Sequence, residues 1–215
     1  MILYRPTDGD ARDTPLTWRP RTAFLMTQLG EPLPEPLREI RRAIERELRR
    51  IDYALVDADS QTTGKDFLLK IWEIGSALPL GIALLHEDMR PSAIANVFYE
   101  LGMMQAYGKE TLVVKTGAAA VPSDFVRTEY VPFDGEFKRS FRQFAASLQE
   151  RADYYELMSA QLERNPLLAI DYLRRGFLLT GEERFQIRAR ELYSTAGLDE
   201  RAVNSVETFL VSFAR

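Results

Sequence analysis

The sequence Asn96-Val97-Phe98-Tyr99-Glu100-Leu101-Gly102 lies between two apolar runs, Leu80 to Leu85 and Thr111 to Val114. Short apolar runs of this kind are typical of buried strands, and the residues between them have the composition of a helix. They predict a strand–helix–strand unit in which Gly102 lets the helix lie close to the sheet. If Asn96 caps the helix, Glu100 lies in about its first turn, where the helix dipole favours an ionised carboxylate.

Similar segments on both sides extend this unit to a complete sheet. Apolar residues recur at three- and four-residue steps over 35–50, which predicts an amphipathic helix. The six arginines between Arg38 and Arg50 are interleaved with glutamates, which is typical of a solvated, salt-bridged face rather than of a stripe that binds nucleic acid. The predicted strands are 22–29, 53–56, 80–85, 111–115 and 128–131, and the predicted helices are 35–50, 66–77, the segment that ends at Gly108, and 136–157. This order predicts an α/β fold over residues 21–155, with a parallel five-stranded, flavodoxin-like sheet flanked by helices.

The residues outside this range differ from it in composition. Residues 1–20 hold three prolines and three aspartates among few apolar positions, which predicts an N-terminal arm. Residues 156–215 contain the helix-start signals Asn165-Pro166 and Thr180-Gly181-Glu182-Glu183, and a stop followed by a start at Ala196 to Asp199. We expect three or four short helices there, forming a helical C-terminal appendage that either caps the α/β domain or joins copies of the chain in a homo-oligomer.

Composition excludes several kinds of site. The chain has no cysteine, so it has no disulfide, thiol nucleophile or zinc–thiolate centre, and its single histidine, His86, excludes a multi-histidine metal site. A net charge of −4 and a pI near 5.3 argue against a general nucleic-acid-binding protein. No run approaches the ~20 apolar residues of a membrane span, and the N-terminus is too polar for a secretory signal, so we expect a cytoplasmic protein. Enzyme chemistry in such a chain depends on carboxylates, with no metal and no cofactor.

Polar residues follow the predicted strands, at the edge where a parallel α/β sheet binds its ligands. Asp57 and Asp59 alternate along one strand, so at most one of them points to a given face. His86, which follows the third strand with Asp88, is either a catalytic group or a hydrogen-bonded structural residue. The candidate catalytic carboxylates are Glu100 and Asp88, and the candidate substrate-binding residues are Gln28, Gly30, Asp59, His86, Asn96 and Tyr99.

The segment Ala95 to Lys109, with its Asn-Val-Phe-Tyr-Glu-Leu-Gly core and its Gly108-Lys109 end, resembles a known helix. It is similar to the signature of the nucleoside 2-deoxyribosyltransferase-like and TIR-like superfamily, and the opening strand Thr22 to Met26 agrees with that group. The resemblance covers residues 21–150. It implies a flavodoxin-like fold and cleavage or transfer at the N-glycosidic bond of a nucleoside, a deoxynucleotide or NAD, with Glu100 as the catalytic carboxylate. NAD would then be a substrate rather than a cofactor, and the TIR-like relatives imply a role in bacterial defence.

The chain departs from the family pattern at three places. Family members commonly end the third strand with Ala-Asp-Leu-Thr or Ala-Asp-Leu-Ser, whereas this chain has Leu85-His86-Glu87-Asp88-Met89, so the supporting acid is Asp88, Glu87 or absent. The usual Asn-Pro before the motif is Ile94-Ala95 here, and the first loop lacks the family's glycine-rich character. These departures favour an alternative, a non-catalytic nucleotide-sensing or protein-interaction module of the same fold. A third alternative is a structural subunit of an assembly.

The chemistry of N-glycosidic bonds explains why a glutamate would serve. Breaking such a bond builds positive charge on the sugar, and a carboxylate beneath the anomeric carbon stabilises that charge or attacks to form a covalent intermediate. The carboxylate must be ionised to do either. An acid that protonates the leaving base would come from Asp59, Asp88 or His86. The nicotinamide ring of NAD is cationic while it is bonded to the sugar and leaves as a neutral base without protonation, so a weak second carboxylate favours NAD as the substrate.

Overall fold

The computed structural model describes residues 9, 17–30, 33–58, 67–121, 125 and 129–195. The elements in chain order are β1 (Thr22–Met26), α1 (Glu35–Arg50), β2 (Ala54–Asp57), α2 (Phe67–Ala77), β3 (Leu80–Leu85), α3 (Pro91–Ala106), β4 (Glu110–Lys115), β5 (Tyr130–Pro132), α4 (Phe137–Gln161), α5 (Pro166–Thr180) and α6 (Glu183–Thr195). Contacts divide the described chain into two compact units. The first lies within 22–144 and the second comprises 17–21 and 145–195.

The first unit is built on a parallel sheet with the strand order β2-β1-β3-β4-β5. β1 is central, with Ala23 paired to Leu55 on one side and to Leu80 on the other. Every residue of β1 and of β3 is buried, as expected for strands covered on both faces. The order 2-1-3-4-5 is that of flavodoxin-like folds, which confirms the predicted fold class.

Helix α1 shows why the spacing of apolar residues predicted its bounds. Leu37, Ile40, Ile44 and Leu48 are buried along one face. The opposite face carries ion pairs within the helix, including Arg38 with Glu35 at 2.8 Å and Arg49 with Glu45 at 2.6 Å. The predicted salt-bridged face is therefore confirmed.

Helix α3 begins earlier than the position of Asn96 suggested. Its first residue is Pro91 and Arg90 is its N-cap, because proline lacks a backbone N–H and its fixed φ suits the first helical position. Asn96 therefore lies inside the helix, and Glu100 lies well beyond the first turn. The helix ends where predicted, with Gly108 at φ 65°.

The close approach of α3 to the sheet depends on a glycine other than Gly102. A Cβ on Gly102 would meet only the Phe125 ring, at 3.8 Å. A Cβ on Gly81 of β3 would lie 3.1 Å from Met104 Cγ on α3. The missing side chain in the strand, not in the helix, therefore makes room for the contact between them.

The second unit is a packed group of helices. Its core joins the later turns of α4 to α5 and α6 through buried residues such as Leu173 and Phe185, and Trp18 packs against them. The Asn165 side chain accepts a hydrogen bond from the Leu168 N–H at 3.3 Å, so the helix-start signal there is confirmed. The signal at 196–199, and all of 196–215, lies outside the described residues.

The boundary between the units differs from the predicted residue 155, which lies inside α4. The contacts divide the chain at Phe144 because the first turns of α4 carry aromatic rings of the first unit. Phe137 contacts Phe133 at 5.1 Å and Phe141 at 5.5 Å between ring centroids. Within the described ranges, no helix has both the length and the apolar character needed to cross a bilayer.

Candidate functional site

A cavity of about 230 Å³ lies between the segment that follows β1 and the first half of α3, and we call it the β1–α3 cavity. Helix α3 directly follows β3, so the cavity lies where the chain leaves the two adjacent strands β1 and β3. In a sheet of this order the connections diverge at that point, and ligands bind in the crevice that results. The lining residues are Thr27, Leu29, Arg90, Ser92, Ala93, Asn96 and Glu100.

Glu100 has an unusual environment for a carboxylic acid. Its side chain is 7% exposed and lines the β1–α3 cavity. No other described residue gives its carboxyl group a hydrogen bond or an ion pair. Burial raises the pKa of Glu100 to about 7. The helix dipole does not offset this effect, because its influence falls off within the first turn and Glu100 lies deeper in α3. Near neutral pH the acid and the carboxylate are thus both populated.

Two hydrogen bonds fix the cavity by joining the segment after β1 to the start of α3. The Gln28 side-chain oxygen accepts the Arg90 backbone N–H at 3.0 Å. The Arg90 guanidinium donates to the Leu29 carbonyl at 3.1 Å. Gly30 then turns the chain with φ 91°, a value that few other residues adopt. Gln28 and Gly30 are next to the lining residue Leu29 in the chain but are not among the described lining residues, and the observed bond of Gln28 is to the protein.

Hydroxyl and amide groups of three residues supply the remaining polarity of the cavity. The Thr27 hydroxyl is buried and has no hydrogen-bond partner among the described residues, while Asn96 and Ser92 are exposed. These groups can donate to and accept from the hydroxyl groups of a sugar. Thr27, Ser92 and Arg90 were not among the residues predicted from the sequence. The Arg90-Pro91 pair was the available signal, since proline at the first helical position would have placed Arg90 and Ser92 at the start of α3.

His86 and Asp88 are not brought together with Glu100. His86 lines a second cavity of about 440 Å³, which we call the β3–β4 cavity. Asp88 is exposed, and its backbone N–H donates to Nδ1 of His86 at 3.0 Å. Tyr99 is 52% exposed and does not line the β1–α3 cavity among the described residues. Asp59 lies outside the described residues.

Two further carboxylates near the strand ends already have partners. Buried Asp57 forms an ion pair with Arg41 of α1. Glu87 accepts a hydrogen bond from the Thr116 hydroxyl, and this bond lowers the pKa of Glu87. Across the part of the chain that the structure covers, no group of three or more His, Asp or Glu side chains is arranged to hold a metal ion.

The fold and the β1–α3 cavity define an α/β protein of flavodoxin-like order with a buried glutamate in a cavity at the β1/β3 ends. No family model matches the chain, and no curated protein sequence matches it. Among solved structures, a 2-deoxyribosyltransferase from Bacillus psychrosaccharolyticus is similar, with a TM-score of 0.40, 13% sequence identity, and coverage of 53% of this chain and 85% of that chain. A likeness at this TM-score does not assign the chain to that family.

Proposed function

We propose that the chain cleaves or transfers at the N-glycosidic bond of a nucleoside or nucleotide, with Glu100 as its catalytic carboxylate. The observation that carries the proposal is the buried carboxyl group of Glu100, which lines a cavity at the β1/β3 ends without a partner among the described residues. The resemblance of residues 96–102 to the helix of nucleoside 2-deoxyribosyltransferase-like and TIR-like proteins selects the same residue.

Burial strengthens the electrostatic effect that an ionised Glu100 would have on the reacting sugar. Charge–charge attraction is stronger in a dry cavity than in water, so an ionised Glu100 would stabilise a developing oxocarbenium ion more strongly than a solvated carboxylate would. The same burial raises the pKa of Glu100 to about 7, so the carboxylate is still available near neutral pH. The covalent route requires the ionised form as well, because the nucleophile attacks with a carboxylate oxygen.

The other lining residues suit the rest of a nucleotide. The Thr27 hydroxyl and the Asn96 amide would bind sugar hydroxyl groups, and the guanidinium of Arg90, exposed at the rim, would pair with a phosphate. Glu100 is the single carboxylic acid among the described lining residues. We therefore favour a substrate whose base leaves without protonation, as nicotinamide leaves NAD.

The test is release of free base. The purified chain is incubated with NAD and with a panel of nucleosides, deoxynucleosides and their 5′-phosphates, and products are separated by chromatography. Glu100→Gln keeps the size of the side chain and removes its charge, so we expect a loss of at least about 100-fold in turnover. Glu39→Gln, at an exposed position of α1, is the matched control and should behave as wild type. Turnover that survives Glu100→Gln would refute the assignment of the catalytic carboxylate.

A second function, nucleotide sensing without turnover, is favoured by one observation. His86 and Asp88, which the sequence nominated as supporting acids, lie outside the β1–α3 cavity as described. A sensor would bind a member of the panel saturably in calorimetry and release no base. Asp88→Asn tests the supporting acid: Asp88 is exposed and outside the described cavity lining, so the variant should change neither binding nor turnover, and a loss of turnover would make Asp88 the supporting acid.

A homo-oligomer formed through the second unit stays a prediction, as do a cytoplasmic location and a role in defence. Helices α4, α5 and α6 expose apolar side chains that would suit contact between copies. Light scattering of the purified chain measures the oligomeric state directly. The exposed large apolar residues of these helices are Tyr154, Leu157, Leu167, Leu168 and Ile187.

A further inference from the structure

The β3–β4 cavity lies on the other side of α3 from Glu100. Ile94 and Phe98 line it, whereas Asn96 and Glu100 line the β1–α3 cavity. Helix α3 therefore forms a wall of both. With a volume of about 440 Å³, the second cavity has the size of a small-molecule site. Nothing in the chemistry proposed for Glu100 uses it.

The walls of the β3–β4 cavity are apolar and held in place. Besides Ile94 and Phe98 they comprise Leu85, the three alanines 118–120 and Val121. The alanine segment is fixed by hydrogen bonds: the Thr116 N–H donates to the Leu85 carbonyl at 3.2 Å, and the Ala119 N–H donates to the Thr116 carbonyl at 3.2 Å. The Lys115 ammonium donates to the Ala119 carbonyl at 3.0 Å. The cavity is thus formed in advance of any ligand.

One end of this apolar cavity carries a donor and an acceptor. His86 Nδ1 accepts the Asp88 N–H at 3.0 Å, so the neutral imidazole carries its proton on Nε2. No described residue hydrogen-bonds to Nε2, and His86 lines the cavity. Beside it, the Glu87 carboxylate accepts hydrogen bonds from the Thr116 hydroxyl and from its own backbone N–H, and keeps further lone pairs for a ligand.

We propose that the β3–β4 cavity binds a planar, uncharged heteroaromatic lactam or aromatic amide. The ring lies between Phe98 and the alanine segment, the ligand carbonyl accepts from Nε2–H of His86, and the adjacent ligand N–H donates to Glu87. The apolar walls penalise a ligand with a net charge, because a charge without a buried partner is costly to desolvate. Because the alanine side chains are small, they leave most of the cavity volume free for a flat ring.

A matched pair of probes tests the recognition. Isoquinolin-1(2H)-one carries the lactam edge, and isoquinoline has nearly the same rings without it. Both are titrated into the isotope-labelled chain and followed by backbone amide NMR shifts. We expect the lactam to bind about tenfold more tightly, with the largest shifts at residues 85–87 and 118–121. Equal affinities for the two probes, or no saturable shift at these residues, would overturn the proposal.

Variants locate the site. Ala120 is exposed and lines the cavity, so the larger side chain of Ala120→Phe should fill the cavity and abolish lactam binding. Its matched control is Ala95→Phe, an exposed alanine of α3 outside both described linings, which should bind as wild type. His86→Gln keeps an amide donor and should retain the preference for the lactam, whereas His86→Phe should lose it by about tenfold. Glu100→Gln should leave lactam binding unchanged. An Ala120→Phe variant that binds normally would refute the location.

Discussion

Glu100 couples folding to pH in a direction opposite to that of most carboxylates. Its pKa is about 7 in the folded chain against an ordinary value of 4.5, because burial disfavours the charge. Between these values the folded state holds a proton that the unfolded state has released, so stability falls as pH rises through the window. A shift from 4.5 to about 7 corresponds to roughly 3 kcal/mol lost between about pH 4.5 and pH 8.

Substitution by glutamine isolates this contribution. Glu100→Gln has no charge at any pH, so its stability relative to the wild type should increase by about 3 kcal/mol from about pH 4.5 to pH 8. Buried Trp72 lies in α2 of the first unit, and a Trp18→Phe background leaves it as the sole tryptophan. Urea unfolding followed by its fluorescence then reports the unit that holds Glu100. A difference between the two proteins that stays constant with pH would refute the argument from burial.

Three further outcomes follow from single groups. If an ionised Glu100 performs the proposed reaction, kcat/KM should rise about tenfold from about pH 6 to pH 8, and a fall would indicate that the protonated acid is the active form. Gly176→Ala should destabilise the second unit by about 1–3 kcal/mol in urea unfolding, because the added Cβ would overlap the buried Phe185 ring. Asp171→Asn should cost roughly 3 kcal/mol, because it removes the carboxylate that offsets the charge of buried Arg174. Burial alone would raise the pKa of Asp171, but the neighbouring guanidinium groups outweigh it and lower that pKa; its stabilisation is present above the ordinary value and is lost as pH falls through the folded one.

Each stability control makes the same substitution at a position that lacks the contact under test. Gly135→Ala adds the same Cβ where no described residue beyond its chain neighbours lies within 4 Å, so a loss as large as that of Gly176→Ala would contradict the steric explanation. Asp134→Asn removes an exposed carboxylate that has no arginine partner in the described ion pairs; its oxygen accepts the Glu136 N–H at 2.9 Å, a bond that an asparagine oxygen keeps, so stability should stay unchanged within about 0.5 kcal/mol. For the activity profile, a pH dependence that persists in Glu100→Gln would show that another group titrates.

The flavodoxin-like order could be predicted because its signals are local and repeated. Leu37, Ile40 and Ile44 follow the helical period, and the apolar run Leu80 to Leu85 is uninterrupted, so each element has the pattern that its burial requires. The ends of elements were harder to place. β1 was predicted to extend to residue 29 but stops at Met26. Thr27 and Gln28 are buried like strand residues although they lie outside the strand, so burial does not mark where the strand ends.

The candidate site was predicted only in part, because the sequence does not tell which side of a helix a strand-end residue faces. Glu100 and Asn96 line the β1–α3 cavity and His86 lines the β3–β4 cavity, although all three belong to the same strand–helix segment. The expected charge state of Glu100 also depended on where α3 starts. With Pro91 rather than Asn96 near its N-terminus, burial sets the pKa and the dipole does not.

The central place of β1 has a consequence for synthesis. Its five residues are all buried, yet Ala23 pairs with Leu80, and the strand is not enclosed until β3 has left the ribosome. Pairing across such a sequence separation is slow, and an apolar strand with an open edge is prone to aggregate while it waits. The early segment Thr22–Met26 therefore stays uncovered until β3 is made, and truncation before β3 should give insoluble protein.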